Sequence, residues 1–261
     1  MLGSWEKVLV INNMQLNSIN KLYIGFGILL IAGIIYRIST YKSWERFDYS
    51  ATVTAPKTFP VAISNLYFIT PNDDFESIKA EDVAEFSASW QDNYTSGTHA
   101  KSQRLPSNIK ISYFSYRDKT FYSDSLQLPY RKIKSIFAIA NKNKQFLTLS
   151  NYSGIRKGLA FMVGIANDGN VMIWLRGVNL EQEVFRVKLK PKNPKPDDFF
   201  IAGRLNRAEY FKEAFKNLSD SVKTLLKNGY DEKANYIDSP SCYIENNKEL
   251  WDYQKKNGFI E

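Results

Sequence analysis

The chain has 261 residues, 44% hydrophobic and 15% aromatic, which excludes a disordered polymer and leaves room for one well-buried domain. Its formal charge of +8 comes from 35 Lys and Arg against 27 Asp and Glu spread along the chain, favouring a generally basic soluble surface over a nucleic-acid footprint. One Cys and one His, far apart, exclude an intramolecular disulfide and a standard zinc site built on that pair.

Residues 1–20 are moderately apolar and read as an amino-terminal tail. Residues 21–38 hold the most apolar run, "KLYIGFGILLIAGIIYR", with no charge between Leu22 and Ile35. Its length is near the short end of the ~17–25 residues that cross a bilayer. A polar stripe at helical period, the mark of a soluble helix, is missing. Leu22, Ile24, Phe26, Ile28, Leu29, Leu30, Ile31, Ile34 and Ile35 are therefore expected to meet lipid as a membrane anchor. Lys21 and Arg37 snorkel, and Tyr23 and Tyr36 suit the interface. The run ends in bulky, basic "IIYRISTYKSW", with no small-residue cleavage site and no lipoprotein cysteine. A retained signal anchor is the expectation. Lys7 and Lys21 before the run nearly balance Arg37, Lys42 and Arg46 after it. Charge counting alone leaves the orientation open, and the favoured arrangement puts the amino terminus inside and the body outside.

Residues 44–261 read as an α+β body, a largely antiparallel sheet with a few packed helices. "WERFDYSATVTAP" and "FPVAISNLYFI" read as strands, bracketing Pro56 and Pro60. "ESIKAEDVAEFSASW" is compatible with a short helix holding Ile78, Val83 and Phe86 inward, and "QDNYTSGTHAKSQ" reads as an exposed loop. "NIKISYFSYRDKTFYSDSLQLP" predicts a hairpin with Ile109, Ile111 and Tyr113 on one face and "RDK" at the turn. Pro129 opens a helix in which Ile133, Ile136, Phe137 and Ala140 form one buried stripe. Asp168-Gly169 between two apolar runs is the strongest short hairpin signal. Val171 to Leu175 is apolar on both faces, a central strand covered on both sides. In "EVFRVKLK", Phe185, Val187 and Leu189 should point inward. Asn206 to Lys227 reads as one helix, with Asn206 and Glu209 as a capping box, Phe211, Ala214, Phe215, Leu218, Val222, Leu225 and Leu226 on one face, and Asn228-Gly229 ending it. "NNKELWDYQKKNG" closes the body as a short helix with Leu250 and Trp251 inward.

No catalytic constellation emerges. His99 reads as a solvated loop residue and Cys242 as a small packed hydrophobe. Asp73-Asp74 and Asp197-Asp198 lack EF-hand spacing and read as solvated loop ends. No Walker loop is present. Trp174 and Arg176 share a strand face, read as a core Trp with an Arg at the sheet edge rather than as a recognition surface. No enzyme, metal or cofactor is expected.

"LPSNIKISYFSYRDKTFYSDSLQLPYRKIKSIF" resembles a pattern of the domain-of-unknown-function 2931 family: a Pro-led strand, Tyr and Ser, an aromatic pair, and a Leu-Pro helix start. "GLAFMVGIANDGNVMIWLRG" resembles its later Gly-Leu-Ala stretch, with Leu159, Ala160, Val171, Trp174, Leu175 and Gly177 matching. The likeness extends over "WERFDYSATVTAPKTFPV", hence over most of the body. It implies a Gram-negative envelope protein. Some such proteins lie beside type VI secretion effectors, which implies an immunity protein that binds and occludes a toxin in the periplasm. This chain departs by lacking a lipobox cysteine, and the anchor helix would replace the lipid. The expectation is thus a single-pass inner-membrane protein with a periplasmic body, a cognate secreted toxin as protein partner, and no nucleic-acid partner. An envelope structural or stress protein without a toxin partner is the alternative. Expected contacts are Tyr94, His99, Lys101 and Arg104 in one loop, and Lys190, Lys192 and Lys195 in "KLKPKNPKP".

Overall fold

The run without charge or polar stripe forms one helix in the computed structural model, α1, Ser18–Tyr41. The structure describes residues 17–78, 83–84, 90, 97–98, 101–151, 154–201, 203–239 and 241–260. The Asn17 side chain caps α1 by accepting from the Asn20 N–H at 2.8 Å, and Lys42 ends it in the left-handed conformation. Its 24 residues span about 36 Å at ~1.5 Å per residue, enough to cross a hydrocarbon core. Every anchor side chain named above is exposed and none is covered by protein. By length and composition α1 is able to cross a membrane, as a span or as a signal sequence.

From Glu45 the chain is a separate compact unit. Its elements in chain order are β1 (Arg46–Phe47), β2 (Tyr49–Thr54), β3 (Val61–Ile69), β4 (Phe75–Ser77), β5 (Gly97–Thr98), β6 (Gln103–Arg104), β7 (Asn108–Ser115) and β8 (Phe121–Gln127). After these come α2 (Tyr130–Lys142), β9 (Leu147–Asn151), β10 (Gly154–Ile165), β11 (Asn170–Gly177), β12 (Leu180–Lys188), α3 (Arg207–Ala214), α4 (Asp220–Lys227) and α5 (Tyr243–Lys256). The larger sheet has the order β12-β11-β10-β2-β5, with β9 also on β10; the smaller runs β4-β3-β7-β8, and β1 pairs with β6. The body is α+β and rich in antiparallel pairs. One pair departs: β2 runs parallel to β10. That explains why Tyr49–Thr54 alternates poorly, since all six residues are buried, as in strands covered on both faces.

The main core lies between the two sheets. Phe161 of β10 meets Phe68 of β3 edge-on at 5.0 Å and Tyr49 at 5.2 Å. α2 drives Ile133, Ile136, Phe137 and Ala140, the stripe expected from spacing, into this core. The β7–β8 and β10–β11 hairpins form as expected. At the second, Asp168 (φ 58°) and Gly169 (φ 79°) are both left-handed. A Cβ on Gly169 would lie 2.5 Å from the Leu189 carbonyl oxygen, so glycine is required there.

β11 is buried throughout. Val171, Ile173 and Leu175 face the main core, while Met172 and Trp174 pack with Met162, Trp90 and Ile237 on the opposite face. In β12 the register slips between Ile173 and Trp174, because Phe185 pairs with Ile173 and Glu183 with Trp174. Val184 is the extra residue of this bulge and is itself buried, while Phe185 and Val187 are half-buried.

Five sequence expectations change. The segment from Asn206 is two helices, α3 and α4, not one. On a straight helix Tyr210 and Phe215 would point about 140° apart, yet both join Leu218 in one small core with Ala62, Phe114 and Phe121. The chain breaks after Phe215, and the Ser219 Oγ accepts from the Val222 N–H at 3.3 Å to start α4. The Asn206–Glu209 capping box stands. In α5 the inward residues are Tyr243 and Trp251, while Leu250 is exposed. Glu76 and Ser77, expected in a helix, lie in β4; Ile78 and Val83 are buried, and Phe86 falls outside the described residues. Cys242 is exposed rather than packed.

Arg176 is also not at a sheet edge. It is fully buried beside core Trp174, pairs with Glu181 at 3.1 Å, and lies 4.4 Å over the Tyr243 ring. Ser241 donates to Glu181, and the Tyr243 hydroxyl donates to the Gly177 carbonyl. The charge is tolerated because it is paired, and the cluster ties the start of α5 to the β11–β12 hairpin.

Candidate functional site

The β7–β8 turn has the sequence Tyr116-Arg117-Asp118-Lys119 and is held by local bonds. The Asp118 N–H donates to Ser115 Oγ at 3.3 Å, and Thr120 Oγ1 donates to the Asp118 carbonyl at 2.8 Å. Lys119 is left-handed (φ 49°) and exposed. Arg117 lies 4.8 Å over the Phe59 ring and donates to the carbonyls of Thr58 and Tyr230. Its guanidinium thus braces the turn against the 229–236 segment. There, Tyr236 donates to Asp231 and lies 2.6 Å from Thr58 Oγ1. Burial, and then the bond to Asp231, push the Tyr236 phenol up to about 12. Tyr122 stacks on Tyr113 beneath the turn, and burial raises its pKa above the usual phenol value, with Asp118 adding to the rise.

Around this turn the fold gathers segments far apart in sequence. α4 brings Lys223, Thr224 and Lys227, the β10–β11 tip brings Asn167 and Asp168, and the loop after α4 brings Gly229 and Glu232. Together with Phe59 and the turn they line an open cleft of about 510 Å³. Its charges are mixed. Lys223 pairs with Asp220 at 3.3 Å, whereas Lys119 and Lys227 make no ion pair among the described residues.

A second recess, about 240 Å³, shares Lys119 and lies on the other side of the turn. It is lined by Lys119, Thr120, Phe121, Pro191, Lys192, Asn193, Pro194 and Arg207, with no carboxylate among them. The Lys192 N–H donates to the Phe121 carbonyl at 2.9 Å, which lays the proline-rich loop along β8. Arg207, the first residue of α3, donates to the Lys119 carbonyl at 3.0 Å. Lys192 Nζ also reaches Asp124 at 3.3 Å.

Of the residues expected to contact a partner, Lys192 lines this recess. Lys190 and Lys195 are exposed in the same loop, and the Lys195 N–H is held by Asp198. Lys101 is exposed and lines neither recess. Arg104 is buried, 3.4 Å from Glu45 in an ion pair, so its side chain is not offered to a partner. Tyr94 and His99 lie outside the described residues. Sequence reasoning missed Lys119, Arg207, Lys223 and Lys227. The cationic "RDK" turn and the i, i+4 spacing of Lys223 and Lys227 were local signals, but only the tertiary fold joins them.

Among the described residues, no group of three or more His, Cys, Asp or Glu is placed to hold a metal ion. The groups here offer charge and hydrogen bonding at two open recesses.

Comparisons with curated proteins and with solved structures returned no match. The model of a family described as "Protein of unknown function (DUF2931)" matches residues 37–239, which include every residue lining both recesses. The match covers most of the chain, and the protein therefore belongs to the DUF2931 family.

Proposed function

We propose that this is a membrane-anchored, non-enzymatic binding protein of the immunity type. Its body would sit in the periplasm, tethered to the inner membrane by α1, and neutralise a type VI secretion toxin by stoichiometric occlusion. The observation that carries the reading is the pair of recesses meeting at Lys119, on a chain whose only exposed, unbroken apolar helix among the described residues is long enough to span a bilayer. A tethered body meets an incoming toxin near the membrane, where local concentration substitutes for high intrinsic affinity. Exposed cations steer an acidic partner and speed its capture.

The test is co-purification of the full-length protein, in detergent, with the effector encoded beside its gene. A stable one-to-one complex that blocks the effector's activity is expected. An effector that neither binds nor loses activity, together with solitary occurrence of the gene, overturns the reading in favour of a structural or stress role in the envelope.

A further inference from the structure

We infer that the two recesses form one groove for an extended, acidic segment of a protein partner, with a carboxylate of that segment seated among Lys119, Lys192 and Arg207. The inference rests on the binding-protein reading above and names the partner's chemistry.

The smaller recess has the selectivity of an anion site. Lys119, Lys192 and Arg207 line it and no acidic residue does, with Lys192 Nζ reaching Asp124 beside it at 3.3 Å. Its walls are stiff, because Pro191 and Pro194 fix the loop backbone and the Lys192 N–H is bonded to β8. Arg207 is held in place by its bond to the Lys119 carbonyl. A guanidinium held in this way loses little freedom when a carboxylate arrives.

The larger cleft argues against a uniform polyanion. Asp118, Asp168 and Glu232 stand in its lining beside Lys223 and Lys227. A phosphate-rich surface, whether bilayer or nucleic acid, would be repelled by those carboxylates along the length of the groove. A peptide can place its own cations and polar groups opposite them while delivering an acid to the basic end. Phe59 and Leu226 add apolar lining against which a side chain can pack. Volumes of about 510 and 240 Å³ suit several residues and a single acidic side chain, respectively.

The experiment uses the full-length protein in detergent and fluorescence anisotropy with defined probes. These are a short labelled peptide with a central Asp-Glu pair between apolar residues, its Asn-Gln counterpart, and a Lys-Lys counterpart. Inorganic phosphate and equimolar phosphatidylglycerol–phosphatidylcholine vesicles serve as competitors. The wild type is expected to bind the acidic peptide at least ~10-fold more tightly than the neutral one. The triple variant Lys119→Glu, Lys192→Glu, Arg207→Glu should lose that preference and gain affinity for the Lys-Lys peptide. Gain for the swapped peptide shows that the variant is folded. Equal binding of acidic and neutral peptides, no binding of either, or displacement of the acidic peptide by phosphate or vesicles as effectively as by unlabelled peptide overturns the inference. Selective peptide binding without effector binding leaves the groove intact and removes only the immunity reading. Effector binding that the triple variant retains in full does the reverse.

Discussion

Glu76 and Arg176 show how single residues set the body's tolerance of pH and substitution. Glu76 is 6% exposed and accepts a hydrogen bond from the Tyr49 hydroxyl. Burial raises its pKa to about 7 from an ordinary 4.5; the Tyr49 bond opposes the rise and Asp74 adds to it. Between those two values the folded state holds a proton that the unfolded state has released. Stability should therefore fall as pH rises from about 4.5 to 7, by roughly 2–3 kcal/mol in all, and level off above. Urea midpoints across that range check this, and Glu76→Gln should remove this part of the slope. An unchanged slope in the variant would assign it to other groups. At Arg176 the expected cost of Arg176→Ala is about 3–5 kcal/mol, because Glu181 is left buried without its cation. Removing both charges with Arg176→Leu and Glu181→Leu together should cost less than the single change, measured by the same denaturation.

At the scale of elements, legibility followed the range of the determining forces. The α2 stripe and the Asp168-Gly169 turn depend on residues within one or two turns of chain, and both were readable. The bulge at Val184 depends on register against β11, which composition does not carry. The break between α3 and α4 depends on Tyr210, Phe215 and Leu218 sharing one small core, whereas the spacing of Phe211, Ala214, Phe215, Leu218 and Val222 reads as a continuous helix. Ser219→Ala separates the two cases. If Ser219 starts α4, the change should lower stability by about 1 kcal/mol, since the Val222 N–H loses its cap. In the middle of one helix the same change would be neutral or stabilising. In α5, Leu250 and Trp251 are consecutive and point about 100° apart, and the contact of Trp251 with Tyr243 (ring centroids 5.4 Å apart) decides which one turns inward.

The whole molecule combines an apolar helix with a basic, grooved body, and the two were not equally visible in the sequence. The helix announces itself through an uncharged run. The groove is built from the β7–β8 turn, the proline-rich loop, the start of α3 and the length of α4, which no motif links; of the cations anticipated, only Lys192 lines it. Burial removed Arg104 from the surface, and nothing in its sequence neighbourhood signals the pairing with Glu45. Reporter fusions at the carboxyl terminus should be active for an exported enzyme and silent for a cytoplasmic one. The reverse pattern would place the body inside and exclude a periplasmic target. The most direct measurement is survival of a deletion strain under attack by its toxin-delivering parent. Expected is killing of the deletion strain, full rescue by the wild-type gene, and loss of rescue with the Lys119, Lys192 and Arg207 charge reversals. A deletion strain that survives as well as its parent would contradict the proposed function.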